Sequence, residues 1–148
     1  MNIKSVSLIA FGVALIGVFY LVDKNYIFSK NPISIIIQSC AVGLMIWARL
    51  TFGVRSFNAI ANATTGKLVT NGPYHFLRHP IYASLIYFFI SCIISFPFIE
   101  TITAVGLIIV GLFVRMILEE KSLLVAYDDY AEYSKKNKKN NSFCFLNI

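Results

Sequence analysis

The chain is 148 residues long, 57% hydrophobic and only 14% charged, with a mean hydropathy of +0.72 and a formal net charge of +6. A water-soluble domain carries about 25% charged residues, so this composition excludes an ordinary soluble globule and leaves an integral membrane helical bundle of the all-α class. The positive charges flank apolar runs and do not cover one surface, which argues against a nucleic-acid partner.

Four uncharged runs set the elements: 18 residues from Ser5 to Val22, 18 from Asn31 to Ala48, 20 from Pro80 to Ile99 and 14 from Thr101 to Val114. About 18 apolar residues suffice to cross a bilayer, so about four transmembrane helices are expected in a single domain. The first is placed at Ile3 to Val22. Lys4 ahead of an apolar stretch also opens a signal peptide, but the stretch is longer than an h-region and no small-x-small cleavage site closes it. A turn holding Asp23, Asn25, Asn31 and Pro32 leads into the second span, Ile33 to Phe52. Residues 1–53 are read as scaffold.

Gly53 to His79 is the least apolar interior segment, rich in Asn, Thr and Gly, and the only interior loop large enough to build a site. From Pro80 to Leu118 a helical hairpin is expected, broken at Phe96, Pro97 and Phe98, because a proline cannot continue a helix without losing a backbone bond. The 14 uncharged residues after Glu100 rise only about 21 Å against about 30 Å of hydrocarbon. Both arms are therefore expected to be short, the second either carrying Arg115 to Leu118 in its last turns or tilting little and thinning the bilayer locally. After Glu119 and Glu120, Leu123, Tyr127, Tyr130 and Ser134 fall at helical spacing with Asp128, Asp129 and Glu132 between them. That pattern predicts a C-terminal interfacial amphipathic helix, so residues 54–134 carry the site. Residues 135–148 form a tail whose lysines suit anionic headgroups.

This layout puts eleven of the thirteen Lys and Arg on one side, with only Lys24 and Lys30 opposite. The positive-inside bias then predicts a multi-pass protein of the cell membrane, with both termini and the middle loop cytoplasmic.

Cys40, Cys92 and Cys144 are an odd number at unrelated spacings, and no Cys or His cluster has metal-ligand spacing, so no metal is expected. The glycines form neither G-x-G-x-x-G nor a P-loop, which excludes a Rossmann-type cofactor fold. Ionisable and polar residues instead collect at the cytoplasmic mouth of the hairpin: Tyr74, His75, Arg78, His79 and Tyr82 before it, Arg115, Glu119 and Glu120 at its exit. Arg78 and His79 also suit plain headgroup anchors, and the tyrosines an aromatic belt. Arg115 is a turn inside its span, where a cation is costly and marks a paired or functional site. Glu119 lies one turn on, but Arg before Glu is the weaker order for a helical ion pair. His79 precedes Pro80 and is pushed out of the helical region, which leaves its backbone groups free for a ligand.

The string from Gly66 through Asn71, Gly72, Pro73 and Tyr74 to Arg78, His79, Pro80, Ile81 and Tyr82 resembles the "LV-T-x-G-P-Y-x-x-x-R-H-P-x-Y" signature of the isoprenylcysteine carboxyl methyltransferases and related phospholipid methyltransferases. Glu119, Glu120, Leu123, Tyr130 and Tyr133 are similar to that family's "E-E-x-x-L" with spaced tyrosines. Ser84 departs from the pattern, which often has Gly there, and so does the tail after Ser134, where the family tends to carry Arg and Pro. The resemblance implies an integral membrane enzyme using S-adenosylmethionine without a Rossmann fold. It implies cofactor contacts from the Lys67, Leu68 and Val69 backbone, the Tyr74 ring, the run His79, Pro80, Ile81 and Tyr82, and the Glu119 carboxylate. Arg115 would face the methyl acceptor, and Glu120 or His79 would take a proton from an amine or phenol. The acceptor is expected to be lipophilic, with a prenylated cysteine, a lipid headgroup and a small metabolite all left open. Two other classes compete. A sterol-type membrane reductase using reduced nicotinamide dinucleotide phosphate looks similar around R-H-P-x-Y but carries more spans and a further basic cluster. A non-catalytic four-helix subunit or exporter usually carries an acidic residue deep in the first span, and none lies between Lys4 and Asp23.

Overall fold

The computed structural model describes residues 3–53 and 69–126. Four α-helices make up the bundle, α1 (Ile3–Asp23), α2 (Pro32–Phe52), α3 (Pro80–Ser95) and α4 (Ile99–Ala126), with a short 3-10 helix, Gly72–His75, ahead of α3. There is no strand among the described residues. α1, α2 and α4 are each long and apolar enough to cross a membrane. Their exposed apolar side chains, such as Ile16, Phe19, Ile36, Leu50 and Val110, point away from the bundle, as they do in an integral membrane protein whose solvent is lipid.

Local chemistry places the ends. Pro32 opens α2 behind Asn31, whose side chain accepts from the Ile33 N–H at 2.9 Å, so the first turn has both a preset φ and a cap. α3 stops at Ser95, just ahead of Phe96, Pro97 and Phe98, as expected for a proline-marked turn.

The first arm is short, as expected, and the second is longer than expected. α3, at 16 residues, rises about 24 Å and is the short arm, whereas α4 runs 28 residues without a break. From Ile99 to Leu118, α4 already covers about 30 Å, which brings Glu119 and Glu120 to the edge of the hydrocarbon. α4 then continues through Ala126, so the closing helix is not separated at Glu119 and Glu120: Lys121 to Ala126 contain neither Gly nor Pro to stop it. Tyr127, Tyr130, Tyr133 and Ser134 lie outside the described residues.

α1 packs along α4, α4 against α3 and α3 along α2, so each arm of the hairpin is flanked by a different N-terminal helix. The α1–α4 seam is built from small residues. A Cβ on Gly17 would sit 2.6 Å from the Ala104 carbonyl oxygen, and one on Gly111 would sit 2.5 Å from that of Ala10. Close backbone approach compensates for the weak hydrophobic drive between helices in lipid. Gln38 Nε2 on α2 donates to the Ile27 carbonyl of the α1–α2 turn at 2.7 Å and lies 3.8 Å from Cys92 Sγ across the α2–α3 seam, where the buried Ser84 hydroxyl also donates to Ile81 O at 2.7 Å beside Met45 Sδ at 3.7 Å. Ser84 thus faces α2.

Candidate functional site

The site grows from the segment that docks on the C-terminal end of α2. Gly72 takes φ +58°, a conformation that costs other residues strain, and a Cβ there would meet Thr51 Oγ1 at 2.7 Å. Tyr74 is buried with its ring centroid 5.5 Å from that of Phe52. His79 caps α3 at φ −127°, ψ 63°, outside the helical region as its place before proline requires. His75, by contrast, is exposed and stacks edge-on against Phe76, away from the buried cluster.

Two connected groups of side chains follow. In the first, Glu120 on α4 receives Arg78 Nη1 at 3.0 Å on Oε1 and 3.2 Å on Oε2, and His79 Nε2 lies 2.8 Å from Oε1. The Arg78 and His79 side chains are 2% and 4% exposed and Glu120 is 20% exposed, so the contact is largely withdrawn from solvent. An ionised carboxylate only accepts, so in this contact Nε2 carries the proton. In the second, the Tyr82 hydroxyl interacts with both Arg115 and Glu119. The His79 and Tyr82 rings meet edge to face at 5.8 Å and join the groups. Arg115 is buried, and its guanidinium lies 4.9 Å from the Phe11 ring of α1.

Six of the sequence-derived site residues therefore converge at one end of the hairpin: His79, Pro80 and Tyr82 from the start of α3, and Arg115, Glu119 and Glu120 from α4. Ile81 is half-buried in the first turn of α3, and Val69 is half-buried ahead of the 3-10 helix. Lys67 and Leu68 lie outside the described residues. Among the described residues no group of three His, Cys, Asp or Glu side chains is arranged to hold a metal ion.

The pattern of the isoprenylcysteine carboxyl methyltransferase family matches residues 33–125, well over half of the chain, from the start of α2 almost to the end of α4. The chain belongs to this family. Membership supports a membrane methyltransferase of the isoprenylcysteine type. No curated protein and no solved structure matches the chain.

Two features of this family member escaped sequence reasoning. Arg78 is not only a headgroup anchor, since it pairs with Glu120 across 42 positions; its place directly before His79, opposite an acidic pair, was the available signal. Phe11, before the matched region, covers Arg115 from α1, and nothing in its local sequence singles it out.

Proposed function

We propose that this chain is an S-adenosylmethionine-dependent membrane methyltransferase that esterifies the carboxylate of a lipophilic, isoprenylcysteine-like acceptor. The observation that carries the reading is the convergence of His79, Tyr82, Arg115 and Glu119 at the hairpin mouth of a chain from this family. The donor set suits the cofactor: the half-buried Glu119 carboxylate matches its ammonium group, and the first N–H groups of α3, at Ile81 and Tyr82, have no intrahelical acceptor by position and favour its carboxylate. The Val69 backbone and the Tyr74 ring would add further contacts to the cofactor.

When bound, the cofactor supplies an electrophilic methyl group on a positively charged sulfur. The chain's own residues then mainly orient and exclude water. Arg115, held in an apolar bundle between Phe11 and Tyr82, would pair with the acceptor carboxylate and aim one oxygen at the methyl carbon. A carboxylate acceptor carries no proton to lose at pH 7, so its methylation would need no base from the chain. Glu120 would be needed as a base only for an amine or phenol. The burial of the site among apolar helices suits an acceptor that arrives from the lipid, with the active site and both termini on the cytoplasmic side.

Calorimetry on detergent-purified protein tests the cofactor, with S-adenosylmethionine expected to bind and reduced nicotinamide dinucleotide phosphate not. Binding of the nucleotide alone would replace this reading with the reductase. Labelled methyl transfer to an S-farnesylated N-acetylcysteine then tests the reaction: a base-labile product identifies an ester, and a base-stable one points to N-methylation.

A further inference from the structure

Glu120 has a geometry that sets it apart from a base waiting for a proton. One Arg78 nitrogen bridges both of its oxygens, and His79 Nε2 takes a further position on Oε1. Both partners come from the two residues that immediately precede α3, while Glu120 sits on α4 next to Glu119. Withdrawing a guanidinium and a carboxylate from water costs more than an exposed pair returns, so stability alone is a weak reason to keep them there. What the pair does define is position. It ties the start of α3 to α4 at the level where the hairpin has no covalent turn, and His79, in edge contact with Tyr82, extends the tie to Arg115 and Glu119.

We propose that Arg78 is a positioning residue: through Glu120 it fixes the lead-in segment Gly72 to Tyr82 against α4, and so sets where the Ile81 and Tyr82 N–H groups stand relative to the Glu119 carboxylate. Glu120 is the anchor of this tie and not the proton acceptor of the reaction. The inference rests on the cofactor reading above, since those N–H groups and Glu119 are the two ends of the cofactor cradle. It also makes a claim independent of any ligand, that the Arg78–Glu120 pair holds the α3 end of the lead-in segment against α4.

The test combines hydrogen–deuterium exchange over residues 71–82 with S-adenosylmethionine calorimetry on purified full-length protein in detergent. Arg78→Gln and Glu120→Gln are each expected to raise exchange in the segment while the α1–α4 seam stays protected, and to weaken cofactor binding by about tenfold, the scale of one lost charge-assisted contact. The double variant is expected to match Glu120→Gln, because that substitution already removes the tie from both Arg78 and His79. Arg78→Lys should recover part of the affinity, which a loss of mere packing volume would not predict. Unchanged exchange in Arg78→Gln, or losses in the double variant that multiply, would overturn the proposal. If Arg78→Gln fails to fold, the double variant, which leaves no lone buried charge, carries the test, and wild-type exchange and affinity in it would overturn the proposal. Wild-type protein that does not bind S-adenosylmethionine would sink the cofactor reading. Exchange would then decide the tie by itself, a coupled rise upholding it and no change overturning it.

Discussion

The two ends of the α3–α4 hairpin are closed by opposite chemistries. At the turn end the chain is continuous through Phe96, Pro97 and Phe98, and ring contacts and an exposed hydrogen bond finish the closure: Tyr26 stacks on Phe96 at 4.9 Å and meets Phe98 at 5.5 Å, and the Tyr20 hydroxyl donates to Glu100 at 3.0 Å. Ser95 also donates to Ser29 there. At the mouth the chain ends are far apart in sequence, and ionised groups bring them together. Aromatic stacking and short hydrogen bonds hold two helices at little desolvation cost. A buried Arg–Glu pair does not, and its presence at one end only marks that end as the place where position is worth a cost in stability.

That contrast can be broken by substitution, and the expected effects fall off in order. The largest is Arg115→Ala, which should lower turnover on the farnesylated acceptor by about a hundredfold, the cost of misplacing a reacting group. S-adenosylmethionine affinity should change little, and an equal loss in affinity would move Arg115 into the cofactor cradle. Next is Glu119→Gln, expected to weaken cofactor binding by about tenfold or more in calorimetry, since a charge-assisted bond to the ammonium group is lost. His79→Ala should weaken it less, because Arg78 still holds Glu120. At the turn end the sign reverses. Tyr26→Ala should lower unfolding free energy by about 1–2 kcal/mol in a denaturant titration, through loss of two ring contacts, and leave cofactor affinity unchanged. Smallest is Thr103→Ala: its hydroxyl donates to Ile99 O at 2.8 Å on an exposed face, so stability should move by less than about 0.5 kcal/mol.

The same contrast separates what was legible in the sequence. α1 and α2 end within a residue of the spans expected from the uncharged runs, and the break at Pro97 falls where proline chemistry puts it. The second arm, expected to carry Arg115 and to end at Leu118, instead runs on through Glu119 and Glu120 to Ala126, because nothing in Lys121 to Ala126 stops a helix. Gly17 and Gly111 stand five residues from Gly12 and Gly106, outside the G-x-x-x-G spacing; they serve the α1–α4 seam, where Ala10, Ala14 and Ala104 supply the other small residues.

By itself, the sequence determined that the chain is a helical membrane bundle, where its helices start, and which ionisable residues gather at the hairpin mouth. Apolar run length, proline and charge are local properties that act within one or two turns. Only the tertiary structure decided that α1 lies on α4 and α2 on α3, that Phe11 covers Arg115, and that Arg78 is spent on Glu120. Those pairings follow from which helix faces can approach closely and which buried charges can neutralise each other, and both are settled between segments distant in the chain.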